Sequence, residues 1–243
     1  LVSTNVTVPS YSGALTAPTI NGSAVSSSGM TMPYWRAGRL LLTHNASVGG
    51  RNMARWHEID TGNWPVSGAP TRIQSGDVDA GASYHTLFPA SAVKSRGEIG
   101  MAVGLTSEGS RVAAAVAGRL PTDPSGRMGV PQIVKPGDAD GGGRWGDYYA
   151  CAVDPTDDAT FWAVGEYKPS SGGWQNWVGS FTVTGQSPCH PVPDDAGTVQ
   201  VGVTGPRVID VLANDWHSAA ADGCQAGRDH HRRGLRRHDP VGR

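Results

Sequence analysis

Two groups of residues in this 243-residue chain have the types and spacing to do chemistry. The first is the run Arg144-Trp-Gly-Asp-Tyr148, together with Glu166 at the end of a later apolar segment. Asp147 and Glu166 supply two carboxyl groups, Arg144 a guanidinium and Trp145 a flat indole face. A carboxyl pair with an arginine and an aromatic platform is the equipment of a site that handles sugars. The second group is a loop that occurs twice, Gly76-Asp-Val-Asp-Ala-Gly81 and Gly137-Asp-Ala-Asp-Gly-Gly142. Its carboxylates, Asp77, Asp79, Asp138 and Asp140, are hard oxygen donors at Asp-x-Asp spacing, so Ca²⁺ is the candidate cofactor.

Both groups have a plainer reading. Asp and Gly make turns without any ion, and the loops lack the third Asp and bidentate Glu of a complete calcium loop. Arg144 and Asp147 can equally form an ion pair that locks one structural unit to the next, with Trp145 and Tyr148 as core. The preceding unit carries Tyr84 and Leu87 at the aligned positions, so the pair belongs to one unit alone. Asp154-Pro-Thr-Asp-Asp158 reads as a hairpin turn, and Trp56, Trp162, Trp174 and Trp177 as packing. No Ser/His/Asp constellation, phosphate-cradling glycine loop or zinc spacing is present.

Composition narrows the classes further. Twenty basic and 21 acidic residues give a net charge of −1, no overall field to draw in nucleic acid or anionic lipid. No apolar run approaches the roughly 18 residues that span a bilayer. The three cysteines, Cys151, Cys189 and Cys224, have no CxxC spacing. A Cys151–Cys189 bridge stays open, but a mid-strand Cys151 fits a buried free thiol better. Leu1 is not an initiator, and the chain reads as processed or truncated at its start.

The elements that must position these groups are short strands. Gly (34) and Pro (17) are abundant, and no segment holds a helical period. Three segments repeat: Gly38–His44 leading to Ala54–Asp60, Gly97–Val103 leading to Val112–Gly118, and Ala159–Gly165 leading to Asn176–Val183. Their starts lie 59 and 62 residues apart (38 to 97, 97 to 159). The flanking run Ala69–Asp77 matches Val130–Asp138 at a similar shift, and Ala17–Ile20 begins a third copy. Asn5-Val-Thr-Val-Pro9 is strand-like, so 1–21 reads as the last two strands of a further unit. In the second full unit the strands fall at Leu87–Val93, Glu98–Gly104, Val112–Gly118 and Gln132–Lys135.

Four antiparallel strands at this period are the pattern of a β-propeller blade, which needs neighbouring blades to bury its faces. A β-sandwich is the alternative. The expected fold is therefore all-β: residues 1–185 as a partial, open propeller of about three and a half four-stranded blades, whose partners include the remaining blades of a longer chain. The acidic loops each join the outer strand of one unit to the inner strand of the next.

The run Arg144-Trp-Gly-Asp-Tyr, followed by Val153-Asp-Pro, Thr160-Phe-Trp and Gly165-Glu-Tyr, resembles the blades of secreted bacterial sialidase-like (BNR-type) propeller proteins. The resemblance covers residues 1–185 and is strongest over 144–183. It implies the propeller fold and an extracellular location. It departs from true sialidases in lacking a Ser-x-Asp-x-Gly-x-Thr-Trp box, a Tyr/Glu nucleophile pair and an arginine triad.

Residues 186–193 read as a Pro-rich linker. Asp194-Asp-Ala-Gly-Thr-Val and Ile209-Asp-Val-Leu-Ala-Asn-Asp215, within 194–218, resemble the opening of a bacterial cadherin-like repeat. In that family such Asp and Asn groups hold Ca²⁺, but too little of the module is present to complete a site around Asn214 and Asp215. Residues 219–243 are basic and almost free of apolar side chains. They read as a disordered tail from a shifted reading frame rather than a polyanion-binding segment, so nucleic acid is not an expected partner. The expected function is a non-catalytic extracellular binding or adhesion module for a glycan or cell-surface ligand. The alternative is a glycan-processing, sialidase-like hydrolase fragment.

Overall fold

The structure, a computed structural model, describes residues 1–26, 31–146 and 149–184, and the backbone of 189–190 and 216–217. One compact unit spans Leu1–Gly185 and a second spans Gln186–Arg243. In the second unit the described backbone is one short antiparallel pairing, Cys189–His190 with Trp216–His217. The Pro-rich linker, the cadherin-like opening and the basic tail otherwise lie outside the described residues.

The first unit is all-β. Its strands are β1 (Thr16–Pro18), β2 (Ala24–Ser26), β3 (Tyr34–Arg36), β4 (Arg39–Val48), β5 (Arg51–Asp60), β6 (Thr71–Val78), β7 (His85–Val93), β8 (Ile99–Ser107), β9 (Ser110–Arg119), β10 (Gln132–Lys135), β11 (Gly143–Arg144), β12 (Ala150–Val153), β13 (Phe161–Tyr167) and β14 (Gln175–Phe181). β3 to β6, β7 to β10 and β12 to β14 form three antiparallel sheets, each in chain order, and none closes on itself. The turns dictate this order. Gly49 and Gly50, at φ 57° and 78°, make the two-residue hairpin that folds β4 directly back onto β5. Both positions need the left-handed backbone that glycine enters without penalty.

The three sheets stack through two cores. Leu41, Ala54, Trp56 and Val78 of the first sheet meet Ile99, Met101, Val103 and Leu105 of the second. On the other side Ala90, Ala92, Ala102 and Val116 meet Cys151, Val153, Phe161 and Ala163 of the third. The middle sheet is thus covered on both faces, and every residue of β8 is buried. Strand alternation shows how one sequence serves two neighbours. Ile99, Met101, Val103 and Leu105 are large and face the first sheet, whereas Gly100, Ala102 and Gly104 are small, with Phe161 of the third sheet against Gly100 and Tyr149, just before that sheet, against Gly104. A Cβ built on Gly100 would lie 2.6 Å from the ring of Phe161, which is fully buried.

A bulge ties the first sheet to the second. Pairing of β7 with β8 slips between Leu87 and Ala90, and Phe88 takes φ 50°. Side chains of β4 satisfy the backbone groups this frees: Phe88 N–H donates to Asn45 Oδ1 (3.0 Å), Asn45 Nδ2 donates to Thr86 O (3.0 Å), and Thr43 Oγ1 donates to Pro89 O (2.9 Å). Buried backbone groups need partners, so these two polar side chains fix the spacing of the sheets.

The N-terminal stretch differs from expectation. Asn5–Pro9 forms no strand, because no ladder lies beside it to satisfy its backbone, and residues 1–15 contribute one isolated bridge, Ser12 to Ser47. β1 does not complete a preceding unit. It pairs with β2, and β2 pairs in parallel with β11, which follows the second sheet in the chain.

Candidate functional site

Several connections gather at one end of the stacked sheets. They are the β4–β5 hairpin, the β6–β7 loop, the β8–β9 hairpin, the β10–β11 loop and the turn Ile20–Gly22. Arg51, at the first hairpin, clamps the β6–β7 loop. Its guanidinium donates to Asp79 Oδ1 (2.8 Å) and to the carbonyls of Gly81 (2.7 Å) and Tyr84 (3.3 Å). Burial opposes the charge of Asp79, but the bonds from Arg51 and from Gly81 N–H outweigh it and hold the carboxyl below its ordinary value. Asp77 meets Arg55 in a two-pronged pair at 2.7 and 2.8 Å.

The second acidic loop has different partners. Asp138 pairs with Lys135 at 2.9 Å, and its own N–H and that of Ala139 donate to Lys168 O. Asp140 accepts hydroxyl bonds from Thr19 (2.8 Å) and Ser23 (3.0 Å). All four carboxylates are thus engaged by protein cations or hydroxyls, and the two loops do not pool them. Among the described residues no three His, Cys, Asp or Glu side chains converge to hold a metal ion.

The group around residue 144 is built inward. Trp145 is 7% exposed and packs with Ala17, Val25, Leu87, Phe88 and Val112. Glu166 is 3% exposed, and its Oε2 accepts the N–H of Gly146 at 3.0 Å. The Tyr149 hydroxyl donates to the backbone carbonyl of Glu166 at 3.2 Å, not to its carboxylate, and desolvation pushes the phenol far above its ordinary value. A tyrosine so placed stays protonated and is a poor nucleophile. Arg144 lies in β11, and its side chain, with Asp147 and Tyr148, is outside the described residues. Cys151 is unbridged and buried, and burial pushes its thiol up to about 12. It is therefore a core side chain rather than a reactive one.

Between these loops lies an open pocket of about 230 Å³ with Leu105 and Ala113 among its lining residues and Arg111 beside them. Sequence reasoning missed it, because its walls come from four separate connections whose proximity appears only when the sheets stack.

It also missed a buried histidine pair. His44 and His57 lie diagonally on β4 and β5, on the face of the first sheet turned away from the second. Their Nε2 atoms are 3.0 Å apart, and Tyr11 packs over His44 with ring centroids 4.3 Å apart. His44 Nδ1 donates to Asn45 O, so the hydrogen-bond pattern assigns His44 Nε2 as the acceptor from His57 Nε2–H. That leaves His57 Nδ1 buried without a partner among the described residues. Burial, then His44, then Arg55 and Arg72 lower the His57 pKa to about 4. Two histidines on neighbouring strands were visible in the sequence, but their register was not.

No family model matches this chain, and no curated protein or solved structure does either.

Proposed function

We propose that Leu1–Gly185 is a partial β-propeller serving as an extracellular, non-catalytic binding or adhesion module for a glycan or cell-surface ligand. The observation that carries this reading is the stacking of consecutive sheets in chain order, with the middle one covered on both faces by its neighbours. That is how blades bury one another. The inter-unit loops collect at one end, where propellers present their ligand sites. The extracellular location rests on the likeness of residues 144–183 to secreted sialidase-like blades. The non-catalytic reading is supported by Tyr149, whose hydroxyl is bonded to the backbone carbonyl of Glu166.

The test is retention of the 243-residue chain on a panel of immobilised glycans, run beside a fluorogenic sialoside. Retention on at least one surface without release of the fluorophore is the expected result. Arg51→Ala, which frees the β6–β7 loop, should weaken that retention about tenfold. No retention on any surface would sink the binding reading, and turnover would move it to the hydrolase.

A further inference from the structure

We propose that the pocket at the β8–β9 hairpin binds a small apolar carboxylate, an aryl or branched alkyl acid whose charge meets Arg111. The inference does not rest on the glycan reading, since it concerns a different ligand class.

The lining sets the chemistry. Leu105 and Ala113, 5% and 3% exposed, form the floor, and Ile20, Tyr84, Ile133 and Pro136 the walls. Polar side-chain atoms come from Ser110, Arg111 and the Tyr84 hydroxyl alone. A polyhydroxylated ring would leave several hydroxyls without partners against this surface, which is costly. An apolar body loses nothing there. The volume of about 230 Å³ lies below the ~300–1,000 Å³ of sites for drug-sized ligands, so it suits one ring or a short branched chain.

The charge points the same way. The arginines of the first sheet that border this end are neutralised by carboxylates, Arg51 by Asp79 and Arg55 by Asp77. Arg111, by contrast, has no ion pair or hydrogen bond with another described residue. A guanidinium at the rim of an apolar pocket recognises a carboxylate through paired N–H donors.

The pocket is also preformed. Gly137 is buried, and a Cβ there would lie 2.5 Å from Val112 O, so the Pro136–Gly137 wall sits directly on the start of β9. The N–H groups of Asp138 and Ala139 anchor the same loop to Lys168 O at 2.9 and 3.1 Å. Little ordering is left to be done on binding.

The experiment titrates the full chain with phenylacetate and with 2-phenylethanol, its neutral counterpart of similar shape, following affinity by ligand-observed NMR. Phenylacetate should bind at least about tenfold more tightly than the alcohol, the gain expected of one charge-assisted contact. Arg111→Gln should erase that preference, Arg111→Lys should keep part of it, and Arg96→Gln, outside the pocket, should leave it unchanged. Ala113→Ile, which fills the floor while sparing Arg111, should block both ligands. Equal affinity for acid and alcohol, no binding of phenylacetate, or an unaltered preference in Arg111→Gln would each overturn the proposal.

Discussion

The middle sheet and the outward faces of its two neighbours are built from similar strands but live in different surroundings. β8 shows no polar side at all, because a sheet packs against each of its faces. On β13 the pattern splits: Phe161 and Ala163 are buried against the middle sheet, while Trp162 between them is 47% exposed. On the first sheet, Thr43, Asn45 and Trp56 face the middle sheet. His44 and His57 face the other way, beneath Tyr11 and residues of the N-terminal stretch. The same strand chemistry thus yields a two-sided core in one place and a one-sided core in the other. What decides is whether a neighbour is present, not the intrinsic preference of the residues.

This contrast is most easily broken at the seam between the second and third sheets. Phe161→Ala removes a fully buried ring from among Gly100, Phe181 and Lys94 and should cost about 3–5 kcal/mol. Gly100→Val attacks the same contact from the other side. Its Cβ would lie within 2.6 Å of the ring, and overpacking of this kind should cost about 1–3 kcal/mol. Urea unfolding of both variants measures this. If Gly100→Val were neutral, the third sheet would not be seated against β8.

The strands were legible in the sequence because alternation and a repeat pointed to the same segments. The pairs beginning at Gly38, Gly97 and Ala159 all fall on observed strands, with ends shifted by up to four residues. What could not be read is what depends on non-local pairing. Asn5–Pro9 alternates like a strand but has no partner. β2 and β11 pair across most of the unit, which no local pattern encodes. The acidic loops were recognised as a repeat, yet the repeat does not reveal that Arg51 and Arg55 meet one copy, and Lys135, Thr19 and Ser23 the other. Trp145 and Glu166 are types suited to a sugar site, but their side chains turn into the core. Burial is a property of the stacked sheets and not of the motif.

The outward face of the first sheet gives a pH-dependent version of the contrast. His57 has a folded-state pKa of about 4, below its ordinary 6.5, so the unfolded chain binds the extra proton first. The stability this group contributes is therefore fully present above pH 6.5 and is lost as pH falls from there toward 4. The loss should be about 2 kcal/mol, allowing for some solvent screening of the shift. The groups around the ring are His44 on β4, Arg55 on β5, Arg72 and Asp77 on β6, and Tyr11 above His44. Urea unfolding at pH 7 and pH 4.5 should show this drop in the parent chain and a flatter response in His57→Gln. An equal drop in both would assign the effect to other groups.

The smallest effect belongs to the outward face of the third sheet. Trp162 donates its indole N–H to Asp154 Oδ2 at 2.9 Å, across a turn that Asp154 already organises through Thr156. Half of the ring stays in water, and the residues beside it in register, Ala152 and Ser180, are small and exposed. Trp162→Ala should therefore cost no more than about 1 kcal/mol, since little apolar area returns to solvent and the turn keeps its other bonds. Measured beside Phe161→Ala, one position away on the same strand, this separates the buried from the open face directly. A loss for Trp162→Ala as large as for Phe161→Ala would mean that this face is covered in solution. The unfolding midpoint of the parent chain should then rise with protein concentration, as it does when a second copy supplies the missing neighbour.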